Sequence, residues 1–254
     1  MTKPNRPTVR LFVEEELREG QALVLSEGPS HYLRTVLRKS EGAVVGLFNG
    51  QSPEFAATLV AVGKKAVTVE IGAQVAAFEP VEPLTLMFSP IKRTPMEWVI
   101  AKATELGISD FQPVLMDHTQ SDRMKAERLE AIAIEAAEQS ERLTIPRFHA
   151  PMKLREAVED CTGVIGVAVE TSGFEPVVKV LEKNASFQAL MIGPEGGFSP
   201  DEVAWLATQE GVVGLGLGPR ILKAETASIA LISLYQAIKG DWYKHPDFRA
   251  SVAP

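Results

Sequence analysis

The sequence predicts an α/β protein in two parts: a small β-barrel, then an α/β domain built on a mostly parallel sheet. Three observations carry this. Short apolar, β-branched segments separated by turn residues fill residues 1–78, the spacing of a small barrel. The proline-bearing stretch FEPVEPL follows and reads as a linker over 79–83. From 84 to 254 strands and helices alternate, as they do where helices cover both faces of a parallel sheet.

The barrel strands are VRLFV, QALVLS, AVVGLFNG, EFAATLVAV and AVTVEIG, with hairpin-like turns at Asn49-Gly50 and at Gly63. One helix interrupts them, PSHYLRTVLR, with Ser30 as its expected N-cap. Beyond the linker, TLMFSPI is a strand and PMEWVIAKATELG a helix stopped by Gly107. ISDFQPVLM is a strand, and a long helix runs from Arg123 to Arg142. VIGVAVE, FQALMIG and VVGLGLG are three further strands, and EPVVKVLEKNA, SPDEVAWLATQEG and AETASIALISLYQAIKG the helices between and after them. By connection rules alone this is an open doubly wound fold. The chain has no internal repeat and no low-complexity tract.

A length of 254 residues suits one large domain or two small ones and can bury a sizeable core. Cys161 is the single cysteine, which excludes an internal disulfide and a cysteine-based zinc site and fits a reducing cytosol. The opening residues lack an apolar signal core, and no run of about 18 apolar residues follows, so a cytoplasmic protein with no export segment and no membrane span is expected. The formal net charge of -7 argues against bulk nucleic-acid binding. Its distribution is uneven: residues 1–78 carry nine Lys and Arg against eight Asp and Glu, and the remainder 17 against 25. RNA contact would therefore need a local basic patch. The histidines at 31, 118, 149 and 245 show no metal-ligand spacing.

Four constellations could carry chemistry. In MIGPEGGFSPDE, a strand ending at Ile192 meets the turn Gly193-Pro194-Glu195-Gly196-Gly197, and Ser199, Pro200 and Glu202 open a helix with a capping box and a proline at its first position. Such a turn lies at the carboxyl end of a strand, where α/β ligand sites form. It is not a phosphate loop, because the Lys-Ser/Thr pair is absent and Glu195 would repel phosphate. It suits a neutral or zwitterionic ligand, and an ordinary tight turn fits the spacing equally well. The second constellation, LGLGPRILKAETASIAL, repeats the strand–glycine turn–helix pattern with Arg220, Lys223, Glu225 and Thr226. The third is IEAAEQSERLTIP, where Glu135, Glu138 and Arg142 share helical spacing and a solvated, ion-paired face is the plain reading. The fourth is His31, Arg34, Arg38 and Lys39 with Arg10, either a phosphate-contact patch with Arg34 and Arg38 on one helix face or simply an exposed basic helix.

Taken together, HYLRTVLR, KRTPMEWVIAKATELGI, EAAEQSER, IGPEGGFSPDE and LGPRILKAETA follow the order of conserved blocks in a known family. Over nearly its whole length the chain resembles the bacterial 16S ribosomal RNA uridine-N3 methyltransferase family (RsmE) of the SPOUT class. The resemblance implies a PUA-like RNA-binding barrel over 1–78 and a SPOUT α/β methyltransferase domain over 84–254 tied in a trefoil knot. It implies a homodimer that binds S-adenosylmethionine at the knot, acts on 16S ribosomal RNA or the small subunit, and uses neither metal nor membrane. Carried over by motif, the cofactor residues are Ile192, Gly193, Pro194, Glu195, Gly196 and Gly197 in the first turn, and Leu217, Gly218, Arg220, Ile221, Leu222 and Thr226 in the second. Arg10, His31, Arg34, Arg38, Lys92 and Arg93 are the expected RNA contacts. Lys223 and Gln120 stand where the family more often has arginine, a change that removes a bidentate fork.

N3 of uridine carries a proton, so a catalyst must remove it or stabilise the charge spreading onto O2 and O4. Arg220 is the first candidate for the second task and Arg142 the next, while Glu195 or Glu225 could take the proton. Two other readings stand beside this one. An RNA-binding ribosome-assembly factor of the same fold could lack activity. A nucleotide-binding oxidoreductase is disfavoured by the missing GxGxxG.

Overall fold

The structure is a computed structural model and describes residues 6–120, 124–170, 173–183 and 186–244. Arg123, at the expected start of the long helix, Asn184 and Ala185, at the end of another, and His245 lie outside the described residues. The described residues divide into two compact units, one of 6–80 with Ala137–Ile145, the other of Val81–Ala136 and 146–244.

In the first unit β1 (Arg10–Phe12), β2 (Ala22–Val24), β3 (Val44–Phe48), β4 (Glu54–Val62) and β5 (Val67–Ala76) form one sheet in the order β1-β3-β4-β5-β2. β1 and β3 run parallel and the other pairs antiparallel. Register shifts along β4–β5 mark bulges, which add twist and let a small sheet curl around its own core. That core is aliphatic, with Leu33, Val45, Leu47, Leu59, Val67 and Ile71 fully enclosed. The helix over PSHYLRTVLR departs from expectation. α1 (Glu27–His31) follows Ser26 as N-cap and passes directly into a π-helical turn, Tyr32–Val36. Ser30 is not the cap: it is buried, its hydroxyl donates to the Leu25 carbonyl (2.9 Å) and accepts from Val67 N–H (3.1 Å). Those bonds satisfy strand-end backbone groups that burial cuts off from water.

The second unit is built on β6 (Thr85–Phe88), β7 (Asp110–Leu115), β8 (Arg147–Phe148), β9 (Met152–Lys153), β10 (Ile165–Ala168), β11 (Ala189–Ile192) and β12 (Val212–Leu215). The sheet order is β12-β10-β11-β6-β7-β8, with β9 also on β7, and every pair is parallel. The helices are α2 (Arg93–Glu105), α3 (Ala126–Gln139), α4 (Leu154–Asp160), α5 (Val177–Lys183), α6 (Pro200–Leu206) and α7 (Ala224–Ile238). Successive strand residues alternate between two apolar layers. Leu86, Phe88, Leu190 and Ile192 pack with residues of α2, α3, α5 and α7, whereas Met87, Ala189 and Met191 pack with residues of α4 and α6. Burial on both faces explains why TLMF and ALMI read as continuous apolar runs. β8, β9 and α4 are additions to the expected elements, two-residue strands and a seven-residue helix too short to leave a periodic signal. α3 ends at Gln139, short of Arg142, because Glu141 adopts φ 61°, outside the right-handed helical region.

A cofactor-sized cavity and its neighbour

The strand order β12-β10-β11 sets three carboxyl ends side by side. Their loops enclose a cavity of about 510 Å³ lined by Glu170 after β10, Gly193–Phe198 after β11 and Gly216–Leu222 after β12. The two glycine turns singled out in the sequence therefore face one space. Ile192, Gly193, Pro194, Glu195, Gly196, Gly197, Leu217, Gly218, Arg220, Ile221 and Leu222 all line it. Thr226 does not; it lines an adjoining cavity.

Both turns depend on glycine. A Cβ on Gly193 would lie 2.8 Å from the Phe198 ring, so a side chain there would displace a wall residue. Gly218 has φ +99°, which L side chains rarely adopt. The first turn is also tied down from below. Ser199 caps α6 by accepting from Glu202 N–H (3.2 Å), and Glu202 returns the bond to Ser199 N–H (2.8 Å). The second Glu202 oxygen accepts from Asp117 N–H (2.9 Å), the Ser199 hydroxyl donates to Asp117 (2.6 Å), and the His118 ring meets the Gly197 carbonyl (3.0 Å). Asp117 and His118 follow β7, and sequence reasoning passed over both. The only available signal was their place at a strand's carboxyl end, close to Gln120, where the family more often has arginine. The rest of HTQSD, Ser121 and Asp122, lies outside the described residues.

Glu170 and Phe198 were likewise not anticipated. Two carboxylates, Glu170 and Glu195, stand in the lining against one cation, Arg220, a wall that complements a cationic or zwitterionic ligand better than a phosphate. Its volume falls within the usual range of small-molecule sites, about 300–1,000 Å³. Both properties fit S-adenosylmethionine, which carries a sulfonium, an ammonium and one carboxylate. Arg220 is exposed and has no hydrogen bond or ion pair with the described residues. Glu195 pairs with Lys92 (3.4 Å) and Glu225 lies 4.0 Å from Lys223.

The adjoining cavity, about 680 Å³, is lined by Lys92, Thr94, Pro95, Trp98, Glu195, Lys223, Ala224, Glu225 and Thr226. Glu195 and Ala224 belong to both linings. Lys92 and Lys223 are the N-caps of α2 and α7, and neither side chain caps its helix. Arg93 donates to Glu97 (2.7 Å), which Arg128 also engages. The hydrogen bonds from these two arginines, Arg128 first, hold the Glu97 carboxyl down at about 2.

The expected RNA contacts of the first unit do not form one set. Arg10 is buried: Nε donates to Glu54 (2.9 Å), the Nη atoms to the carbonyls of Ala137, Glu138 and Arg142, and the guanidinium lies over Phe48 (4.6 Å). With its donors engaged inside the unit, Arg10 is a structural ion and not a surface cation. Arg34 lies in the π-helical turn, where Nη1 donates to the carbonyls of Gly63 and Lys64. Arg38 follows that turn with φ 50°, so the two arginines do not share an α-helical face. His31 ends α1 and is exposed. Arg142, with Nε donating to Thr144 (2.8 Å), belongs to the segment grouped with the first unit.

Among the described residues no group of three or more His, Cys, Asp or Glu could hold a metal ion, and no helix is long and apolar enough to cross a membrane. The chain matches the RNA methyltransferase domain family over residues 78–236 and the RNA methyltransferase PUA domain family over 29–72. It is 32% identical over 227 residues to ribosomal RNA small subunit methyltransferase E of Rickettsia conorii, covering 88% of this chain and 93% of that protein. It is 30% identical over 256 residues to the Bacillus subtilis protein of the same name, covering 91% and 99%. Among solved structures, that of ribosomal RNA small subunit methyltransferase E from Neisseria gonorrhoeae bound to S-adenosyl methionine is 29% identical with a TM-score of 0.81, covering 93% of this chain and 99% of that one. A Legionella pneumophila protein solved with bound SAM is 31% identical with a TM-score of 0.83, covering 92% and 99%.

Proposed function

We propose, from the premise that this chain belongs to the ribosomal RNA small subunit methyltransferase E family, that it methylates N3 of a uridine in the 16S RNA of the small ribosomal subunit. It is an rRNA methyltransferase with a PUA domain and a SPOUT domain, and its cofactor is S-adenosylmethionine. The observation that carries the reading is that the glycine turns after β11 and β12 line one cavity with Arg220 in its wall. The reading includes a homodimer, as the family resemblance implies.

The cofactor supplies a methyl group already activated on a sulfonium. What the protein must do is position the acceptor and manage the N3 proton. Gly193–Gly197 and Leu217–Leu222 hold the donor, with Glu170 and Glu195 set against its positive groups. Arg220, free of protein partners among the described residues, is available to stabilise negative charge developing on O2 and O4, and a guanidinium stays charged while doing so. Glu195 suits proton removal better than Glu225, because its carboxylate borders both cavities whereas Glu225 lines only one. Lys92 lies 3.4 Å from the Glu195 carboxylate. Arg142 is set aside as a catalytic candidate in favour of Arg220, which lines the donor cavity itself. His31, Arg34, Arg38, Lys92 and Arg93 remain the proposed RNA contacts, with Arg10 removed because its donors are engaged.

Arg220→Ala tests this. Losing one charge-stabilising donor typically slows the chemical step about 100-fold or more. Single-turnover methylation at saturating S-adenosylmethionine should fall by that order, so that any loss of cofactor affinity does not enter the rate. A wild-type single-turnover rate in this variant would remove Arg220 from the chemistry.

A further inference from the structure

We propose that the adjoining 680 Å³ cavity is the acceptor-nucleotide site, with the indole of Trp98 as the platform on which the target base or its neighbour stacks. The inference rests on the methyltransferase reading above. An in-line transfer needs donor and acceptor atoms about 3–3.5 Å apart, so the acceptor site must abut the donor site. This cavity does so through Glu195 and Ala224, which belong to both linings. Its composition differs from that of the donor cavity. It has an aromatic ring, two hydroxyls from Thr94 and Thr226, and the cations Lys92 and Lys223, whose side chains are 71% and 83% exposed. Those are the parts a splayed-out nucleotide uses: a π-face to stack on, hydrogen-bonding groups for a base edge, and positive charge for flanking phosphates.

Trp98 stands apart from the buried face of its helix. On the same helix Met96, Val99, Ile100 and Ala103 are buried, whereas Trp98 is 45% exposed. Arg220 lines the donor cavity, and Glu195 stands in both linings.

The test uses full-length protein, 16S RNA and small ribosomal subunits from a strain lacking this gene, and Trp98→Ala beside Trp98→Phe. Loss of one stacking platform typically costs about tenfold in affinity. Trp98→Ala should raise the RNA KM by about that factor, with S-adenosylmethionine affinity and sedimentation behaviour unchanged. Trp98→Phe, which keeps a π-face, should recover most of the loss. In Lys223→Ala the salt slope of RNA binding should fall by about 0.7, one phosphate contact to a single strand. Three outcomes overturn the proposal: an unchanged RNA KM in Trp98→Ala, a Phe variant as impaired as Ala, or a change of oligomeric state in Trp98→Ala, which would make the indole a subunit contact. Absence of methyl transfer by the wild-type protein to both the 16S RNA and the small subunit would instead refute the underlying reading.

Discussion

Arg10 and Arg220 look alike in the sequence, each an arginine beside a turn or strand, and burial assigns them opposite tasks. The Arg10 side chain is 1% exposed and Glu54 0%; Arg220 is open to solvent. A buried ion pair is held in place by what its removal would leave behind. Deleting one partner strands an uncompensated charge, at about 3–5 kcal/mol. Glu54→Ala should therefore lower the denaturation midpoint of the first unit substantially, more than any exposed Glu→Ala change, and Arg6, which also pairs with Glu54 (2.7 Å), adds to the loss. Thermal unfolding followed by circular dichroism checks this; a shift no larger than that of an exposed control would contradict it. Charge identity was legible in the sequence, but burial was not. The strand VRLFV shows apolar alternation without revealing that Glu54 on a neighbouring strand points at Arg10. Gly193 and Gly218 were legible as turn residues, since punctuation by glycine is local.

At the scale of elements, local chemistry was readable and distant partners were not. The Ser199–Pro200–Glu202 capping box is stated within four residues and forms as read, but the second Glu202 oxygen reaches Asp117, on another loop. The junction of β7 with β8 behaves similarly. Asp110 accepts from Arg147 (2.8 Å), His149 (2.8 Å) and Ser109 (2.7 Å). Burial alone would raise the Asp110 carboxyl, but these hydrogen bonds outweigh it and leave its pKa below the usual aspartate value. A carboxyl depressed on folding contributes stability above its unfolded pKa, about 3.9, and loses it as pH falls through the folded value, because the unfolded chain then binds more protons. In Asp110→Asn the acid limb of the stability curve should flatten below about pH 4, with the largest loss of stability near neutrality. An acid limb as steep as wild type in urea titrations would show that Asp110 does not contribute. The π-helical turn at Tyr32–Val36 left no trace in PSHYLRTVLR, whose apolar spacing fits an ordinary helix, and so the pairing of Arg34 with Arg38 on one face was misjudged.

At the scale of the whole molecule, alternation of strands with helices was enough to read a parallel sheet, because each strand is buried on two faces and each helix on one. Strand order was not readable. The order β12-β10-β11 that brings the two glycine turns to one cavity depends on long-range pairing, which periodicity does not report. The segment Ala137–Ile145, which groups with the first unit though it lies far along the chain, is equally invisible to a reading made in sequence order. Family resemblance supplied the site residues in these places, and Arg10 shows its limit, since a motif position does not state exposure. The central claim, methylation at N3 of a uridine in the small-subunit RNA, meets its most direct test in primer extension on that RNA. A methyl on N3 blocks base pairing and stops the polymerase. RNA from a strain lacking this gene should show read-through at a uridine where wild-type RNA shows a stop, and the purified protein with S-adenosylmethionine should restore it. Identical stops in the two strains would contradict the account.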